Sequence, residues 1–438
     1  MKVSLNCLSG SLNRVAIVGG GLSGTLAAST LKQRLGSNVD VTILDANSRK
    51  IGGRLLGGLL CDDDYFVGDM GAQFIQPSAD FRFTQLCNQM HQIGMLKPWN
   101  GRFGVLGSQA GGFLPTSVIQ SAIPKTNDDD SSFLASVDNG DFCNFNRSSM
   151  FGVPTYTATP SMADWCERIL QTQPGIKQTL NFTLHEAMPI SMKNDQNPLS
   201  QTDIVWSLKK RNSASQCTNN ELYFDAIILS THNPLLASTT IDNILISYQE
   251  KEGETVGQRL RKLSKELTNV RKLKKPILSF AYLLQSKLSK TLPFDAVTIP
   301  GSSTIQFLCR DSSKSASNQV EQSQYELWKG ISTSSFAEQH IQDKCYLDSH
   351  LEKELQGLLS THCQAKITPK FLGSKLWRAA FTQPTLDLKE DCITLEPWRL
   401  IIAGDFLREY SNPIEAAAVS GIEAGDRMAN ILSRQDVP

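Results

Sequence analysis

The amino-acid sequence predicts an α/β fold with a doubly wound parallel sheet near its start, and two observations carry this prediction. The first is the segment RVAIVGGGLSGTLAASTL at 14–31, in which a short apolar run precedes closely spaced glycines and then small, helix-forming residues. The second is an alternating apolar run, 39–44, that ends at an aspartate. Strand, glycine turn, helix and second strand follow each other as in the first βαβ unit of such a sheet.

Composition places the chain among ordinary globular proteins. Its 438 residues are enough for two or three domains, and the 40% hydrophobic and 20% charged fractions are typical of such proteins. Basic and acidic residues number 43 each, so we expect no nucleic-acid partner and no attraction to an anionic membrane. No apolar run reaches the ~20 residues of a membrane span, and residues 1–13 make a poor signal peptide. These features favour a cytoplasmic protein, with a short organelle-targeting leader as the alternative.

Cysteines and histidines are scattered rather than grouped. The ten cysteines form no CxxC pair, so we interpret them as reduced, mostly buried thiols. The six histidines show neither an HExxH motif nor a comparable ligand spacing. The sequence therefore predicts no metal site.

The glycine segment is the strongest functional signal. Gly19 permits a tight turn, Gly21 lets the backbone approach a pyrophosphate, and Gly24 lets the helix pack closely against the strand. The helix then begins at Leu22 and Ser23, where free N–H groups and a partial positive charge face the phosphates. A glycine-rich turn is common by itself, but strand, motif, helix and second strand in register indicate dinucleotide binding.

Two positions after the second strand extend this site. Asp45 lies 21 residues beyond Gly24, where a carboxylate accepts hydrogen bonds from the hydroxyls of an adenosine ribose, and Ala46 follows it. Gly53 and Arg54 then suit a turn against the pyrophosphate, with the guanidinium as a fixed cationic fork. The alternative for this second element is a surface turn with a solvated arginine.

The segment VGDMGAQFI at 67–75 separates flavin from nicotinamide. Its small residues allow the close approach of an isoalloxazine ring, and Gly71, Ala72 and Gln73 are the candidates. An ordinary strand edge is the alternative.

In their order and spacing, these motifs resemble the FAD-dependent amine oxidase superfamily. Its last flavin-binding element resembles 399–432, where Gly404 and Asp405 precede a small-residue helix near Ile414. The resemblance implies that Asp405 binds ribityl hydroxyls or orients the pyrophosphate, and that the helix N-terminus stabilises negative charge on reduced flavin. The family usually has glycine where this chain has Ala416, so we expect that methyl group to crowd the ring edge.

The middle of the chain resembles one branch of that superfamily, the renalase-like proteins. The segments that carry this resemblance are 94–104, 224–234, 305–314 and 376–384. One departure is Ser335, which has no adjacent tryptophan where the branch has Trp-Ser. The branch implies non-covalent FAD in a hydroxybenzoate-hydroxylase-like fold. It also implies oxidation of a dihydronicotinamide isomer by hydride transfer to flavin N5, after which oxygen accepts the electrons and hydrogen peroxide forms.

The candidates for the substrate face of the flavin are Trp377, Arg378, His232 and Trp99. Trp377 has the plainer alternative of a core tryptophan, and His232 has that of a histidine in a turn. An arginine in an apolar stretch favours an anionic partner, whereas no residue is nominated as a proton-abstracting base, and no cysteine stands in position for covalent flavin attachment.

Two other functions remain open from the sequence. One is an amine, porphyrinogen or carotenoid oxidoreductase on the same scaffold. The other is a flavin-binding scaffold or sensor that has lost catalysis. For the enzyme, the expected partners are a small-molecule substrate and molecular oxygen, and the sequence is silent on oligomeric state.

We predict that a Rossmann-like FAD-binding domain is interleaved with a smaller mixed-sheet substrate domain. The FAD-binding parts are 14–95, 160–235 and 370–435, and the substrate parts are 96–159, which includes an acidic, Ser-rich insertion, and 236–369.

Overall fold

The computed structural model of the chain describes strands and helices from residue 13 onward. The described residues are 13–60, 66–77, 80–106, 112–116, 154–191, 204–211, 221–247, 255–271, 274–314, 324–339, 342, 344–363, 368–382, 385–410 and 412–434. The predicted acidic, Ser-rich insertion, 124–142, lies outside these residues.

The strands in chain order are β1 (Asn13–Val18), β2 (Val39–Leu44), β3 (Leu59–Leu60), β4 (Phe66–Val67), β5 (Leu96–Pro98), β6 (Phe103–Leu106), β7 (Phe113–Pro115), β8 (Tyr156–Ala158), β9 (Lys177–Thr179), β10 (Leu184–Ser191), β11 (Ile204–Lys210), β12 (Glu221–Phe224), β13 (Ala226–Leu229), β14 (Lys274–Gln285), β15 (Ala296–Thr298), β16 (Ile305–Arg310), β17 (Tyr325–Ser332), β18 (Lys370–Thr382), β19 (Cys392–Leu395) and β20 (Leu400–Ala403). The α-helices are α1 (Leu22–Leu35), α2 (Phe81–Gln92), α3 (Trp165–Gln171), α4 (Pro234–Ser247), α5 (Thr255–Arg271), α6 (Ser286–Ser289), α7 (Ser334–Gln339), α8 (Lys344–Cys363) and α9 (Pro413–Ser433).

The predicted parallel sheet is present, and β1 lies inside it. Its described strands run in the order β19, β20, β13, β1, β2, β9, and every neighbouring pair is parallel except β19 with β20. Val15, Ala16 and Ile17 are fully buried, as expected for an apolar strand that is covered on both faces. The α/β fold class is therefore confirmed.

Helices α1 and α9 pack against each other through small residues, although they lie at opposite ends of the described chain. A Cβ atom at Gly421 would stand 2.2 Å from the backbone oxygen of Ser23, and one at Gly425 would stand 2.7 Å from that of Ala27. These distances are too short for any larger residue. The two glycines therefore allow the helix backbones to approach, which brings both terminal segments to the same sheet.

A second, mixed sheet stands beside the parallel one. Its described strands run in the order β18, β14, β17, β16, β15, β6, β7, and these pairs are antiparallel except β15 with β6. Helix α8 covers it with leucines spaced four apart, Leu347, Leu351, Leu355 and Leu359. Strand β18, which begins at the predicted domain boundary of 370, pairs with β14 in this mixed sheet.

A bulge interrupts β18 opposite a proline of β14. Lys275 pairs with Phe381 and Ile277 pairs with Trp377, so three residues, 378–380, stand opposite Pro276 alone. Proline has no N–H to donate to a neighbouring strand, and the extra residues accommodate that gap. The bulge displaces this stretch of β18 from the regular ladder.

A small antiparallel sheet of β10, β11 and β12 lies beside the parallel sheet. The indole Nε1 of Trp206 donates to the backbone oxygen of Trp398 at 2.8 Å and joins this sheet to the turn that precedes β20. Among the helices of the described ranges, none is long and apolar enough to cross a membrane.

Candidate functional site

A cavity of about 850 Å³ opens where the two large sheets meet. Its floor is formed by the carboxyl ends of parallel strands, at Val18, Leu44 and Ser230, together with the glycine segment. One side is the bulged stretch of β18, and the N-terminus of α9 closes another. Ligands of doubly wound sheets bind at this edge, outside the carboxyl ends of the strands.

The glycines of the motif serve two different purposes. A Cβ at Gly24 would stand 1.9 Å from the backbone oxygen of Gly19, so this glycine is required for packing of α1. Gly19 itself has φ +106°, a conformation that other residues rarely adopt. A Cβ at Gly21, by contrast, would find no protein atom nearer than Gly53 Cα at 3.8 Å, and Gly21 lines the cavity. The space beside Gly21 is left for a ligand.

The first turn of α1 faces the cavity with an unsatisfied hydroxyl. Leu22 and Ser23 line the cavity, and the Ser23 side chain is buried. Its Oγ has no hydrogen-bond partner within the described residues. Buried hydroxyls without a partner are rare, and a helix N-terminus favours anions, so this corner suits a phosphate oxygen.

Asp45 lies at the end of β2 with both carboxylate oxygens engaged by backbone. Oδ2 accepts from the N–H of Gly20 at 2.6 Å, and Oδ1 accepts from the N–H of Asn47 at 2.7 Å. Each oxygen retains a lone pair for a further donor. Asp45 and Ala46 line the cavity, so this acid holds the glycine turn in place and still borders the ligand space.

Sequence reasoning missed a neighbouring part of the wall. The backbone N–H of Phe182 donates to Asp45 oxygen at 2.8 Å, and the N–H of Arg211 donates to Thr183 oxygen at 2.8 Å. Phe182, Thr183, Leu184, His185 and Arg211 all line the cavity. They carry no motif, and only the register of β2 and β9 brings them beside Asp45.

Arg54 and Asp405 form a direct ion pair across 351 residues of sequence. Both guanidinium nitrogens donate to the carboxylate, each at 2.7 Å, and Nη1 also donates to Ala380 oxygen at 2.9 Å. Burial raises the pKa of Asp405, but the charge and hydrogen bonds of Arg54 outweigh it, so this pKa lies below its usual value. The pair joins the early glycine segment, the bulge of β18 and the end of β20.

Gln73 acts as a clamp within its own turn. Its amide nitrogen donates to the backbone oxygens of Asp69 and Gly71, at 2.7 and 2.8 Å, and its oxygen accepts from Lys314 Nζ at 2.6 Å. A Cβ at Gly71 would stand 2.1 Å from Arg54 oxygen, and the N–H of Ala72 donates to that same oxygen at 3.3 Å. The three predicted residues line the cavity, with the side chain of Gln73 committed to shaping the turn.

The N-terminus of α9 borders the cavity as the resemblance implies. The Asn412 side chain caps the helix by accepting from the N–H of Glu415 at 2.8 Å, and Ile414 and Ala417 line the cavity. Ala416, which the resemblance places at the ring edge, is buried and is not among the residues that line the cavity. The helical turn aims Ala417 at the cavity instead.

Gly404 is fixed beside this helix. It has φ +154°, and its N–H donates to Ser420 Oγ at 2.8 Å, so the turn after β20 is tied to α9. This fixed turn places Asp405, the next residue, where its carboxylate pairs with Arg54.

The wall at β18 holds two of the four substrate-face candidates. The Trp377 indole Nε1 donates to Ser279 Oγ at 2.9 Å and to Met70 oxygen at 3.2 Å, which fixes the ring against β14 and the 67–73 turn. Arg378 lies in the bulge, lines the cavity and is exposed to solvent. Within the described residues its guanidinium makes no hydrogen bond or ion pair.

The other two candidates occupy different places. His232 lines the cavity beyond β13 and is exposed, and its backbone oxygen accepts from Lys274 Nζ. Trp99 is buried behind Phe74, with ring centroids 6.1 Å apart, and donates to Ser313 Oγ at 3.1 Å. Phe74 lines the cavity and Trp99 does not.

Three further sequence features lie away from the cavity. Ser335 is the second residue of α7, and its Oγ donates to Thr333 Oγ1 at 3.3 Å. The buried cysteines of the described ranges, Cys87, Cys166, Cys309 and Cys392, are not lining residues. No group of three or more metal-binding side chains occurs within the described part of the chain.

Comparisons with known proteins agree with this architecture. Residues 17–90 match the model of the NAD(P)-binding Rossmann-like domain. No curated protein sequence matches the chain. Cyclohexylamine oxidase from Brevibacterium oxydans IH-35A superposes with a TM-score of 0.59 and 13% identity, covering 97% of this chain and 100% of that one.

Two further structures are similar over nearly their whole lengths. An oxidoreductase from Methanosarcina mazei has a TM-score of 0.58 and 12% identity, over 95% of this chain and 99% of that one. A chain from Exiguobacterium sp. 255-15, provisionally named a protoporphyrinogen oxidase, has a TM-score of 0.59 and 12% identity, over 96% and 99%. The chain shares the fold of these oxidoreductases. Sequence identities this low establish the fold alone, so activity is argued from the site.

Proposed function

We propose that this protein is an FAD-dependent oxidoreductase that holds its cofactor non-covalently. The observation that carries the proposal is one cavity walled jointly by the glycine segment, the Arg54–Asp405 pair and the N-terminus of α9. The space beside Gly21 and the unpartnered hydroxyl of Ser23 fit a dinucleotide pyrophosphate.

Each part of the cavity has a role in this proposal. Asp45 accepts hydrogen bonds from the adenosine ribose, beside the wall at 182–185. Arg54 and Asp405 lie near the middle, where their fixed pair orients the ribityl and pyrophosphate region. Ile414, in the first turn of α9, places the positive end of the helix dipole against the pyrimidine edge. The turn of Gly71, Ala72 and Gln73 supports the ring.

The substrate we propose is a dihydronicotinamide isomer. When bound, FAD supplies a hydride acceptor at N5 and can pass electrons on to oxygen, giving hydrogen peroxide. The protein itself has to hold the reacting carbon over the flavin, since formation of the aromatic nicotinamide drives the reaction without a strong base. Trp377 is suited to this task because two hydrogen bonds hold its ring rigidly at the wall.

Two alternative functions use the same cavity. Amine or porphyrinogen oxidation is compatible with the fold, since similar structures bear the names cyclohexylamine oxidase and, provisionally, protoporphyrinogen oxidase. Carotenoid oxidation belongs with these alternatives. A flavin-binding scaffold without catalysis is the alternative of another kind.

A single series of spectra tests the proposal. The purified protein is expected to carry a flavin absorption spectrum, and acid precipitation should release free FAD into the supernatant. Under anaerobic conditions, dihydronicotinamide isomers, cyclohexylamine and a porphyrinogen are added separately, and loss of the oxidised-flavin band is followed. We expect only the dihydronicotinamide to bleach the band, and readmitted oxygen to restore it with formation of peroxide.

The outcomes separate the alternatives. Bleaching by the amine or the porphyrinogen alone would reassign the substrate. Bound FAD that none of these compounds reduces would favour the scaffold. Folded protein that takes up no FAD would overturn the proposal.

A further inference from the structure

Arg378 is a guanidinium without a partner in the cavity wall formed by β18. The second exposed arginine that lines the cavity, Arg211, lies in the wall beside Asp45. The acids that line the cavity are Asp45, held by two backbone N–H groups, and Asp405, held by Arg54. Arg378 has neither an ion pair nor a hydrogen bond within the described part of the chain. Its charge is therefore available to something that enters the cavity.

Local geometry explains why the side chain is presented there. Residues 378–380 bulge from β18 opposite Pro276, and Ala380 oxygen is tied to Arg54 Nη1 at 2.9 Å. Trp377, the residue before the bulge, is fixed by Ser279 and Met70. The backbone on both sides of Arg378 is thus anchored while its side chain stays exposed at the cavity wall.

The apolar part of the wall nearby suits a flat organic molecule. Phe74, Ile277, Ile331 and Phe381 line this end of the cavity. Among these side chains only the aromatic faces could attract a protonated amine. The lining residues of the described chain include no unengaged carboxylate to pair with one. A cationic substrate would meet an arginine, which opposes its binding. An anionic substrate would meet a forked donor that matches carboxylate or phosphate oxygens.

We infer that Arg378 is the anion-binding residue of the substrate subsite, and that the substrate carries a carboxylate or phosphate group beside its oxidisable ring. The inference rests on the proposed function, because it assumes that flavin occupies the rest of the cavity. It deepens that proposal by excluding simple amines as the preferred substrate class. It accommodates a dihydronicotinamide nucleotide, whose phosphate lies apart from the reacting ring.

The test uses the FAD-loaded protein and two probes of the same shape. Benzoate and benzamide are titrated separately, and binding is followed through the perturbed flavin spectrum. We expect benzoate to bind at least about tenfold more tightly than benzamide, the ratio for one charge-assisted hydrogen-bonded contact. Added salt should reduce the ratio, since the guanidinium is exposed.

Three variants assign the preference to Arg378. Arg378→Gln should make the two affinities equal within about twofold while leaving benzamide binding unchanged. Arg378→Lys should keep part of the preference, because the charge remains and the forked geometry is lost. Arg259→Gln, the same change at an exposed arginine of α5 that does not line the cavity, should behave as the wild type.

The results that overturn the inference differ from those that overturn the proposed function. Equal affinities in the wild type, no binding of benzoate, or a preference that persists in Arg378→Gln would each remove Arg378 from the substrate subsite. The starting spectrum decides the other question, since a folded protein that stays colourless with FAD fails before any probe is added.

Discussion

The two ends of the cavity are built in different ways. At the parallel sheet the wall is formed by the glycine segment, the first turn of α1 and a short acid held by main-chain N–H groups, with the side chains of 182–185 and Arg211 beside that acid. The end at the mixed sheet consists of side chains, chiefly Trp377, Arg378 and Phe74, delivered by strands far apart in sequence. At one end, main-chain groups would hold a dinucleotide, a ligand that many proteins bind. At the other end, side chains would select the substrate.

The largest expected effect is at the first end. Gly24→Val would drive a side chain into Gly19 oxygen, which a Cβ alone would approach to 1.9 Å. We expect the free energy of unfolding to fall by at least about 3 kcal/mol, or the protein to fail to fold. Thermal unfolding checks this, with Gly357→Val on the exposed face of α8 as the control, because no atom lies within 4 Å of its Cβ position.

Gly21→Val separates ligand binding from folding within the same motif. The new side chain points into the cavity rather than into protein, so the apoprotein should unfold within about 3 °C of the wild-type temperature. FAD affinity should fall at least about 100-fold, because the side chain occupies the pyrophosphate space. Titration with FAD measures this loss, and retained stoichiometric cofactor would show that the pyrophosphate lies elsewhere.

Asp405→Asn tests the ion pair between Asp405 and Arg54, near the middle of the cavity. Loss of the carboxylate leaves Arg54 with weaker partners, and we expect about 1–3 kcal/mol of lost stability at pH 7, with the partial exposure of Arg54 keeping the loss moderate. Because the folded-state pKa of Asp405 is lowered, its contribution is present above the unfolded value near 3.8 and disappears as pH falls through the folded value.

The wild type and Asp405→Asn should therefore differ in unfolding temperature at pH 7 and converge in acid, below about pH 4. Thermal scans at several pH values give the comparison. A difference that stays constant into acid would mean that the carboxylate's charge is not what holds Arg54.

The smallest effect on FAD binding is expected for Ala416→Gly. This substitution introduces the glycine that is usual in the FAD-dependent amine oxidase superfamily, which the sequence resembles. Since Ala416 faces away from the cavity, FAD affinity should change by less than about twofold while the helix loses about 0.5–1 kcal/mol. Ala417→Val, one position along and lining the cavity, provides the contrast and should weaken FAD. A large gain in affinity for Ala416→Gly would place the methyl group at the ligand after all.

The contrast between main-chain and side-chain parts of the cavity also explains which features can be predicted from the sequence. The parallel sheet, the glycine turn and the place of Asp45 follow from short motifs, since each motif is local and its chemistry depends on backbone geometry. The ion pair between Arg54 and Asp405 does not, because the two residues lie in separate motifs 351 positions apart. The membership of β18 in the mixed sheet does not follow from the sequence, because β18 has no local feature that distinguishes one sheet from another. Register with β14 decides its membership, and register is a long-range property.

Side-chain direction is the other quantity that motifs leave open. Ala416 and Ala417 are equivalent in sequence, and only the phase of α9 decides which one reaches the cavity. Gln73 lies in a predicted ligand-binding stretch, but its side-chain amide is hydrogen-bonded within the protein. It donates to the backbone oxygen of Asp69 and accepts from Lys314 Nζ. Pro276 is the sequence feature that indicates the bulge. A proline in a strand predicts a bulge in its partner only when the partner strand is known.

The contact between α1 and α9 also bears on how the protein is made. Nearly 380 residues separate the two helices, so during synthesis the first helix emerges from the ribosome long before its packing partner exists. Until then its small-residue face has nothing to bury against, and cofactor loading has to wait for the last segment. A nascent chain stalled before residue 413 should accordingly remain an easy target for chaperones and proteases, however much FAD is supplied.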